Sequence, residues 1–542
     1  MLALRTTVVA LAAGVSSIVA VSGASADENG PAADSPDLVS AVSVDLTTWP
    51  AFDPLATDYG IVCANSTEQV TVIVDADDDA TILVNGRQVE NASPTEVPVR
   101  VHELIEVDVT SGADRAEYFL RCLPEDFPRM EVERPGSPEP GWYTSTFGQG
   151  PSPSGNYMVI FDEYGAPVWY ADSEVDVLNF DRRPDGSLRA TKLSSMGFGT
   201  IDDAVRTRLF DLGGAPVGAG VVEITAGLGG LPYPEWEQDY PIDHHEHVDH
   251  PDGGSTILSY PLRDDGLDLT PLEGLVTCPT GDTPPCFNDD EWIVDNALIE
   301  LDADGEIQWI WHAMDHFGVL DVAFPQRFAR YADAPNGGEI DVIHTNSVQR
   351  LGNGDYIASA RHIDAAYRVD RATGELAWVL GSTPPAGGSP TANERRLDVL
   401  NDPYNGVIRP HDARFDESTN TLTIFDNRSA TADPARVAAY RIDEANMTAT
   451  LLWQLQEPEQ RPSGAQGGTR VAPDGSVLVT WGTLQPVFQE YGPADANGTR
   501  ELLLSIAQVP SGISYRIIKH APEAFDRQTL RDTAGVSIPP LP

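Results

Sequence analysis

One short theme recurs through most of this chain and constrains its fold more than any other feature. A strand ends in Asp, a turn supplies Gly, and Trp follows: FDEYGAPVW at 161–169, LDADGEIQW at 301–309 and VDRATGELAW at 369–378. FDLGGAPV at 210–217 is a degenerate copy, and RIDEANMTATLLW at 441–453 a longer one. A second theme interleaves with it, a turn signal before an apolar strand: RPDGSLRA, HPDGGSTILSY, LGNGDYIASA and APDGSVLVTW. Trp309, Trp378 and Trp453 are 69 and 75 residues apart. A period of this size with several strands per unit predicts β-propeller blades. The region from about 141 to 520 holds five to six such units, and six is the number expected. The Trp rings then pack between sheets and do not serve as a cofactor platform.

Upstream, residues 40–125 alternate short β-rich runs with turns: VTVIVDA, TILVNG, VPVRVHE, IEVDVTSG and EYFLRCL. This is the pattern of a small β-sandwich. The fold class expected is therefore all-β, a six-bladed propeller (141–542) preceded by a sandwich, with 126–140 as the linker. Residues 1–26 read as a secretory signal: Arg5, an apolar run from Val8 to Val21, then Ala24-Ser25-Ala26. Residues 27–39 read as a flexible leader. Cleavage would leave a secreted or periplasmic protein with no later stretch long and apolar enough to span a bilayer.

Charge narrows the partners. Without the signal, 33 basic residues face 83 acidic ones, and only Lys192 and Lys519 among the cations are not Arg. Such a surface repels nucleic acid and anionic lipid, so neither is an expected partner. An anionic substrate would need a local positive pocket against this field. The four cysteines fall into two pairs, Cys63 with Cys122 and Cys278 with Cys286, and export makes disulfides the expected state.

Three histidines lie in matching settings. His245 is in DHHEHVDHPDGG, His344 in DVIHTNSVQRLGNGDY and His411 in RPHDARFDESTNTLTIFD, each just upstream of a turn that leads into an apolar strand. Histidines at equivalent places in radially arranged units point at a common axis, and imidazole suits nucleophilic and proton-transfer work near neutral pH.

These segments, in this order, resemble the bacterial arylsulfate sulfotransferases that act without a nucleotide sulfate donor. The resemblance rests on DHHEHVDHPDGG, on HTNSVQRLGNGDYIASARH followed by VDRATGELAWVLG, on RPHDARF…LTIFDNR, and on SGAQGGTRVAPDGSVLVTWG. The sandwich segment resembles cadherin-like β-sandwich domains, on FDPLATDYGIVC, the VNG turn and VTSGADRAEYFL. The first resemblance implies transfer of a sulfuryl group from a phenolic sulfate ester to a phenol, with no cofactor and no metal, through a histidine that becomes N-sulfated. Carried over, His411 matches the nucleophile and Arg361 the arginine that binds sulfuryl oxygens. His245 and His344 match the two further histidines, and Asn346 would add a neutral donor to the substrate if His344–Asn346 is extended. Ser359-Ala360-Arg361 departs from the more familiar Ser-Ser-Arg. Asp412 is not expected to orient His411, since adjacent strand residues face opposite sides.

Three other readings have a feature behind them. HEHVDH at 245–250 fits the zinc motif of metallo-β-lactamase-fold hydrolases, but a hairpin signal follows it where that motif needs a helix. VDRATGELAW also fits quinone-dehydrogenase blades, which repeat it more faithfully. A non-catalytic binding propeller would need none of these groups. His312 and His316 have i,i+4 spacing without a third ligand nearby and stay unassigned.

Overall fold

The computed structural model describes residues 36–64, 67–147, 155–173, 177–192, 207–222, 242–279, 281–328, 334–381, 389–510 and 512–538. The segment read as a signal and most of the leader lie outside the described residues. The rest is almost entirely β-structure, in a small N-terminal sandwich and a propeller.

The sandwich packs a three-stranded sheet (Val39–Val44, Thr67–Ala76, Thr95–Arg100) against a six-stranded one. Leu104–Ser111 shows why: Ile105, Val107 and Val109 are buried while Glu106 between them is exposed, the two-residue period of a strand with one face on a core. Cys63 and Cys122 form a disulfide within this core.

Downstream, four-stranded antiparallel meanders repeat, and six of them are present among the described residues. The first strands of these sheets are β1 (Val177–Arg182), β2 (Ile242–Asp249), β3 (Thr345–Arg350), β4 (His411–Asp416), β5 (Gly468–Val471) and β6 (Ile517–His520). β2 packs on β1, β3 on β2, β4 on β3 and β5 on β4. The remaining sheet is made from both ends of the propeller region. β6 pairs with Trp142–Phe147, so that Ile517 lies opposite Ser145 and His520 opposite Trp142. β6 also packs against Val477–Thr480 of the preceding sheet, which closes the ring.

The Trp residues of the repeat tie neighbouring sheets together. Trp169 Nε1 donates to Leu212 O and Trp378 Nε1 to Glu444 Oε1, each in the next sheet's turn. Trp309 stacks on Tyr356 of the next sheet, with ring centroids 5.4 Å apart. Both Trp169 and Trp378 are fully buried.

Two segments differ from the sequence expectation. Part of 126–140, read as linker, is a strand: Arg129–Glu133 pairs with Leu502–Val509 and extends the outer edge of the last sheet. Residues 254–292, around the second cysteine pair, read in sequence as an insertion on one rim, and the insertion is larger than that. Leu262–Leu267, Glu291–Val294, Glu339–Asp341 and Gln326–Phe328 form an extra four-stranded sheet beside the Cys278–Cys286 disulfide. Helix α1 (Arg527–Thr533) joins sandwich to propeller: Arg531 and Arg527 reach Asp58 at 2.7 and 2.8 Å, and Arg527 reaches Asp162 at 3.0 Å.

Candidate active site

Three first strands carry a bulge at the end where their histidine lies. Register slips between Ile242 and His247 in β2, between Thr345 and Ser347 in β3, and between His411 and Arg414 in β4. Backbone at His344 and Asp412 is left-handed, with φ of 57° and 55°. A bulge re-aims side chains that a regular strand would alternate, and here it turns imidazoles toward one another. The His245 and His344 ring centroids are 5.1 Å apart, and His344 stacks on His362 at 4.5 Å. Tyr515, just before β6, lies 5.8 Å from His245 and 6.3 Å from His411.

His411 is buried and its tautomer is set. Nδ1 donates to Asn427 Oδ1 at 2.7 Å, and Asn427 Nδ2 donates to Gln466 O at 2.8 Å, which fixes the amide's orientation. Nε2 is then the ring nitrogen with its lone pair available. Burial, followed by the nearby Arg361 charge, holds its pKa well below the ordinary histidine value, so the ring is neutral at pH 7.

His245 and His344 each have a carboxylate behind them. Asp243 Oδ1 lies 2.6 Å from His245 Nδ1, and Asp341 Oδ2 lies 2.5 Å from His344 Nδ1. Burial lowers the His245 pKa even with Asp243 beside it. The His344–Asp341 contact depends on the rim insertion, because Asp341 ends one of its strands. Arg361 follows the strand Tyr356–Ala360 that pairs with β3, and its backbone N–H donates to His344 O at 2.9 Å, so the open end of one hairpin presents both residues.

Arg361 Nη1 donates to His362 Nε2 at 2.9 Å, while Nε is buried with no hydrogen-bond partner among the described residues. The guanidinium has no ion pair there, and burial, then the Arg409 charge, lowers its pKa to about 10. Arg361 and Arg409 share one ring: their Cζ atoms lie 4.9 and 3.6 Å from the Phe324 centroid.

Asn346 is fully buried, but the left-handed turn at His344 breaks the extended geometry expected there. Its Nδ2 donates to Pro410 O at 2.8 Å and its Oδ1 accepts from Ser359 Oγ at 2.6 Å. These bonds position the backbone that leads into His411. Asp412 faces away from the His411 ring, into a buried cluster with Arg414, Arg470 and Arg516. Arg516 also donates to His245 O at 2.8 Å and Asn346 O at 2.7 Å, linking three sheets.

Among the described residues, Asp243–His244–His245 and Asp341–His344–His362 each place three possible metal-ligand atoms within 4.8 Å of one another. Their short Nδ1–carboxylate contacts also serve to orient the rings. HEHVDH does not gather: Asp249 is engaged by Arg183 and Arg189 at 3.2 and 2.7 Å, and His250 Nε2 by Thr256 Oγ1 at 2.8 Å. His312 lies 2.9 Å from Asp295, and His316 stacks on Trp311.

Sequence reasoning missed Asn427, Arg409, Phe324, Asp243, Asp341, His362 and the Tyr515-Arg516 pair. Asp243 and Asp341 carried a local signal, standing two and three residues before their histidines. Asn427 carried none, since the hairpin from Asp416 to Thr421 brings it back from 16 residues away.

Among solved structures, the chain is similar to a periplasmic gluconolactonase of Pseudomonas aeruginosa, with 12% identity over 70% of this chain and 99% of that one, TM-score 0.36. It is also similar to a putative 6-phosphogluconolactonase of Bacteroides fragilis, with 14% identity over 70% and 98%, TM-score 0.34. A protein of unknown function from Bacteroides caccae has 9% identity over 70% and 99%, TM-score 0.35. No curated protein matches the chain. The arylsulfotransferase (ASST) family model matches 278–510, a span holding His344, Arg361, His411 and Asn427, with His245 and Arg516 outside it. A cadherin-like β-sandwich model matches 39–121. Residues 278–510 thus carry a match to the arylsulfotransferase family, and residues 39–121 ahead of them a match to the cadherin-like β-sandwich domain.

Proposed function

We propose that this protein is an aryl sulfotransferase that moves a sulfuryl group from a phenolic sulfate ester to a phenol, without a nucleotide, in a ping-pong reaction. The observation that carries the reading is the state of His411: a buried neutral ring whose Nδ1–H is tied to Asn427, beside a guanidinium with no carboxylate of its own among the described residues.

In the first half-reaction, the Nε2 lone pair of His411 attacks sulfur and the S–O bond to the aryl group breaks, leaving a sulfohistidine and a phenolate. Arg361 holds the sulfuryl oxygens, which carry the charge throughout, and a planar fork suits them better than an ammonium. One preorganised donor of this kind lowers such a barrier by roughly 3–4 kcal/mol. The phenolate leaves as the anion and takes its proton from water, since the neutral His245 ring has its one N–H on Asp243. In the second half-reaction His245 or His344 takes the acceptor's proton, with the carboxylate behind either ring stabilising its protonated form; the acceptor oxygen attacks sulfur, the S–N bond breaks to release His411, and the ring's proton returns to solvent. Asn346 acts through the Pro410 backbone, as a positioning residue. The six four-stranded sheets read as six blades, and the two disulfides suit an exported protein.

The test is nitrophenol release from p-nitrophenyl sulfate, with and without added phenol, in the presence of a chelator. Phenol-dependent release that survives the chelator supports the reading, and release without phenol marks a sulfatase-like use of the same groups. No release under either condition favours a binding propeller, and loss on chelation favours a metal at one of the Asp–His–His clusters. His411→Ala should abolish release and the sulfohistidine mass adduct while keeping the circular dichroism spectrum. Retained turnover would move the nucleophile to His245 or His344.

A further inference from the structure

One cation beside the cluster has no part in the chemistry above. Arg409 stands two residues before His411 with left-handed backbone (φ 52°), a conformation held by its own N–H, which donates to Asp364 Oδ1 at 2.8 Å. That bend lays the guanidinium over Phe324, 3.6 Å from the ring centroid. Its one hydrogen bond among the described residues is long, from Nη1 to Ser429 Oγ at 3.4 Å, and it has no ion pair there. Asp364 accepts from the Arg409 backbone N–H through Oδ1, and its charge favours the Arg409 cation, but among the described residues it forms no ion pair with the guanidinium. Arg409 and Phe324 are both half-buried, so a ligand can reach them, whereas Arg361 behind them is buried.

Two guanidinium groups on one aromatic ring repel each other, and each lowers the stability of the other's charge. Burial and this neighbour depress Arg361, and burial depresses Arg409. An aryl sulfate brings a single negative charge, which Arg361 can meet alone. A second unpaired cation beside the first calls for a second negative charge on the ligand. In a protein of net charge −49, a substrate with two negative charges would be repelled by the surface unless a local cation met it.

We propose that Arg409 and Phe324 form a subsite for a second anionic group on the aromatic substrate, so that the preferred phenols carry a ring carboxylate or a further sulfate. Phe324 holds the guanidinium plane by its ring face, and Arg409 offers in-plane N–H donors to the anionic substituent. The inference rests on the transferase reading for its substrate class and on Arg409's geometry for the charge.

The experiment compares two acceptors of nearly the same shape, 4-hydroxybenzoate and 4-hydroxybenzamide, with p-nitrophenyl sulfate as donor. The ratio of their kcat/KM values is measured in the natural protein, Arg409→Gln and Arg409→Lys. The expected result is a natural preference for the carboxylate that falls about tenfold in Arg409→Gln and is partly kept in Arg409→Lys, as for a half-exposed charge pair. A ratio unchanged by Arg409→Gln, whether both acceptors lose equally or neither does, would overturn the subsite, as would a natural preference for the amide. Should the natural protein transfer to neither acceptor, the transferase reading fails separately. Calorimetric binding of the two compounds to the natural protein and Arg409→Gln then decides the subsite. A carboxylate preference lost in the variant supports it, and equal binding refutes it.

Discussion

Asn427 offers the sharpest test of how the nucleophile is prepared. In Asn427→Ala, His411 Nδ1 loses its acceptor and Gln466 O loses its donor. The neutral ring is then free to carry its proton on Nε2, where it cannot attack sulfur. A hydrogen bond of this kind inside a protein is worth about 1–3 kcal/mol once the buried partner is left unmet. At 1.36 kcal/mol per factor of ten, kcat/KM should fall by about 5- to 150-fold. Asn427→Asp separates tautomer from charge. It keeps an acceptor for Nδ1 but puts a carboxylate beside a ring whose burial now keeps it neutral, so the His411 pKa rises. Protonated histidine has no lone pair, so the acid limb of the kcat/KM–pH profile should move upward and activity should recover as pH rises. The assay is nitrophenol release with saturating phenol from pH 5 to 9. Asn427→Ala within twofold of the natural protein, or Asn427→Asp with an unmoved acid limb, would refute the assignment of His411 Nε2 as the attacking atom.

Three further outcomes follow from geometry already described. Arg361→Ala should lower kcat/KM by about 10²–10³-fold, as expected for loss of one preorganised donor, and Arg361→Lys should recover only part of it; equal kinetics in all three proteins would remove Arg361 from the reaction. Burial holds the His244 pKa at about 4 and the His362 pKa at about 3, both below the ordinary 6.5. The unfolded chain therefore takes up protons that the folded one refuses as pH falls below 6.5. Each histidine should remove about 1.4 kcal/mol of stability per pH unit until its folded pKa is reached, and calorimetry at moderate salt from pH 7 to 4.5 that shows no loss in Tm would contradict their burial as neutral rings. Asp58→Asn breaks a buried carboxylate pairing with Arg531 and Arg527 and should cost about 3 kcal/mol at the sandwich–propeller junction. The readout is an earlier calorimetric transition together with faster proteolytic cleavage between the two domains.

The repeat carried most of the fold in plain view. Asp, Gly and Trp at fixed offsets are hairpin and packing chemistry, and each unit repeats because each sheet needs the same neighbour. His245, His344 and His411 were legible because they stand at equivalent places in those units, Arg361 only through the family resemblance, and the structure puts the four in one cluster. What escaped was whatever depends on departure from the regular strand. Extended backbone would have sent Asn346 toward the substrate, but a left-handed residue two positions earlier turned it into the Pro410 carbonyl. The residues read as linker became an edge strand because Leu502–Val509 left an unpaired row of amides that Arg129–Glu133 could meet. Tyr515 and Arg516 escaped for a different reason. They reach the site from 270 residues beyond His245, through a ring closure that no local pattern announces.

That closure sets the order in which the molecule can become active. The strand at 517–520 hydrogen-bonds to the first propeller strand, and the residues just ahead of it, Tyr515 and Arg516, fasten the backbones of His245 and Asn346. While the chain is being made, every histidine of the cluster precedes the segment that locks it. A chain cut between residues 412 and 514 has all four candidate catalytic side chains but lacks the bonds that fasten the backbones of His245 and Asn346. Fragments and stalled products should therefore be inert toward sulfate esters, and the appearance of turnover during refolding should coincide with the joining of the chain's two ends.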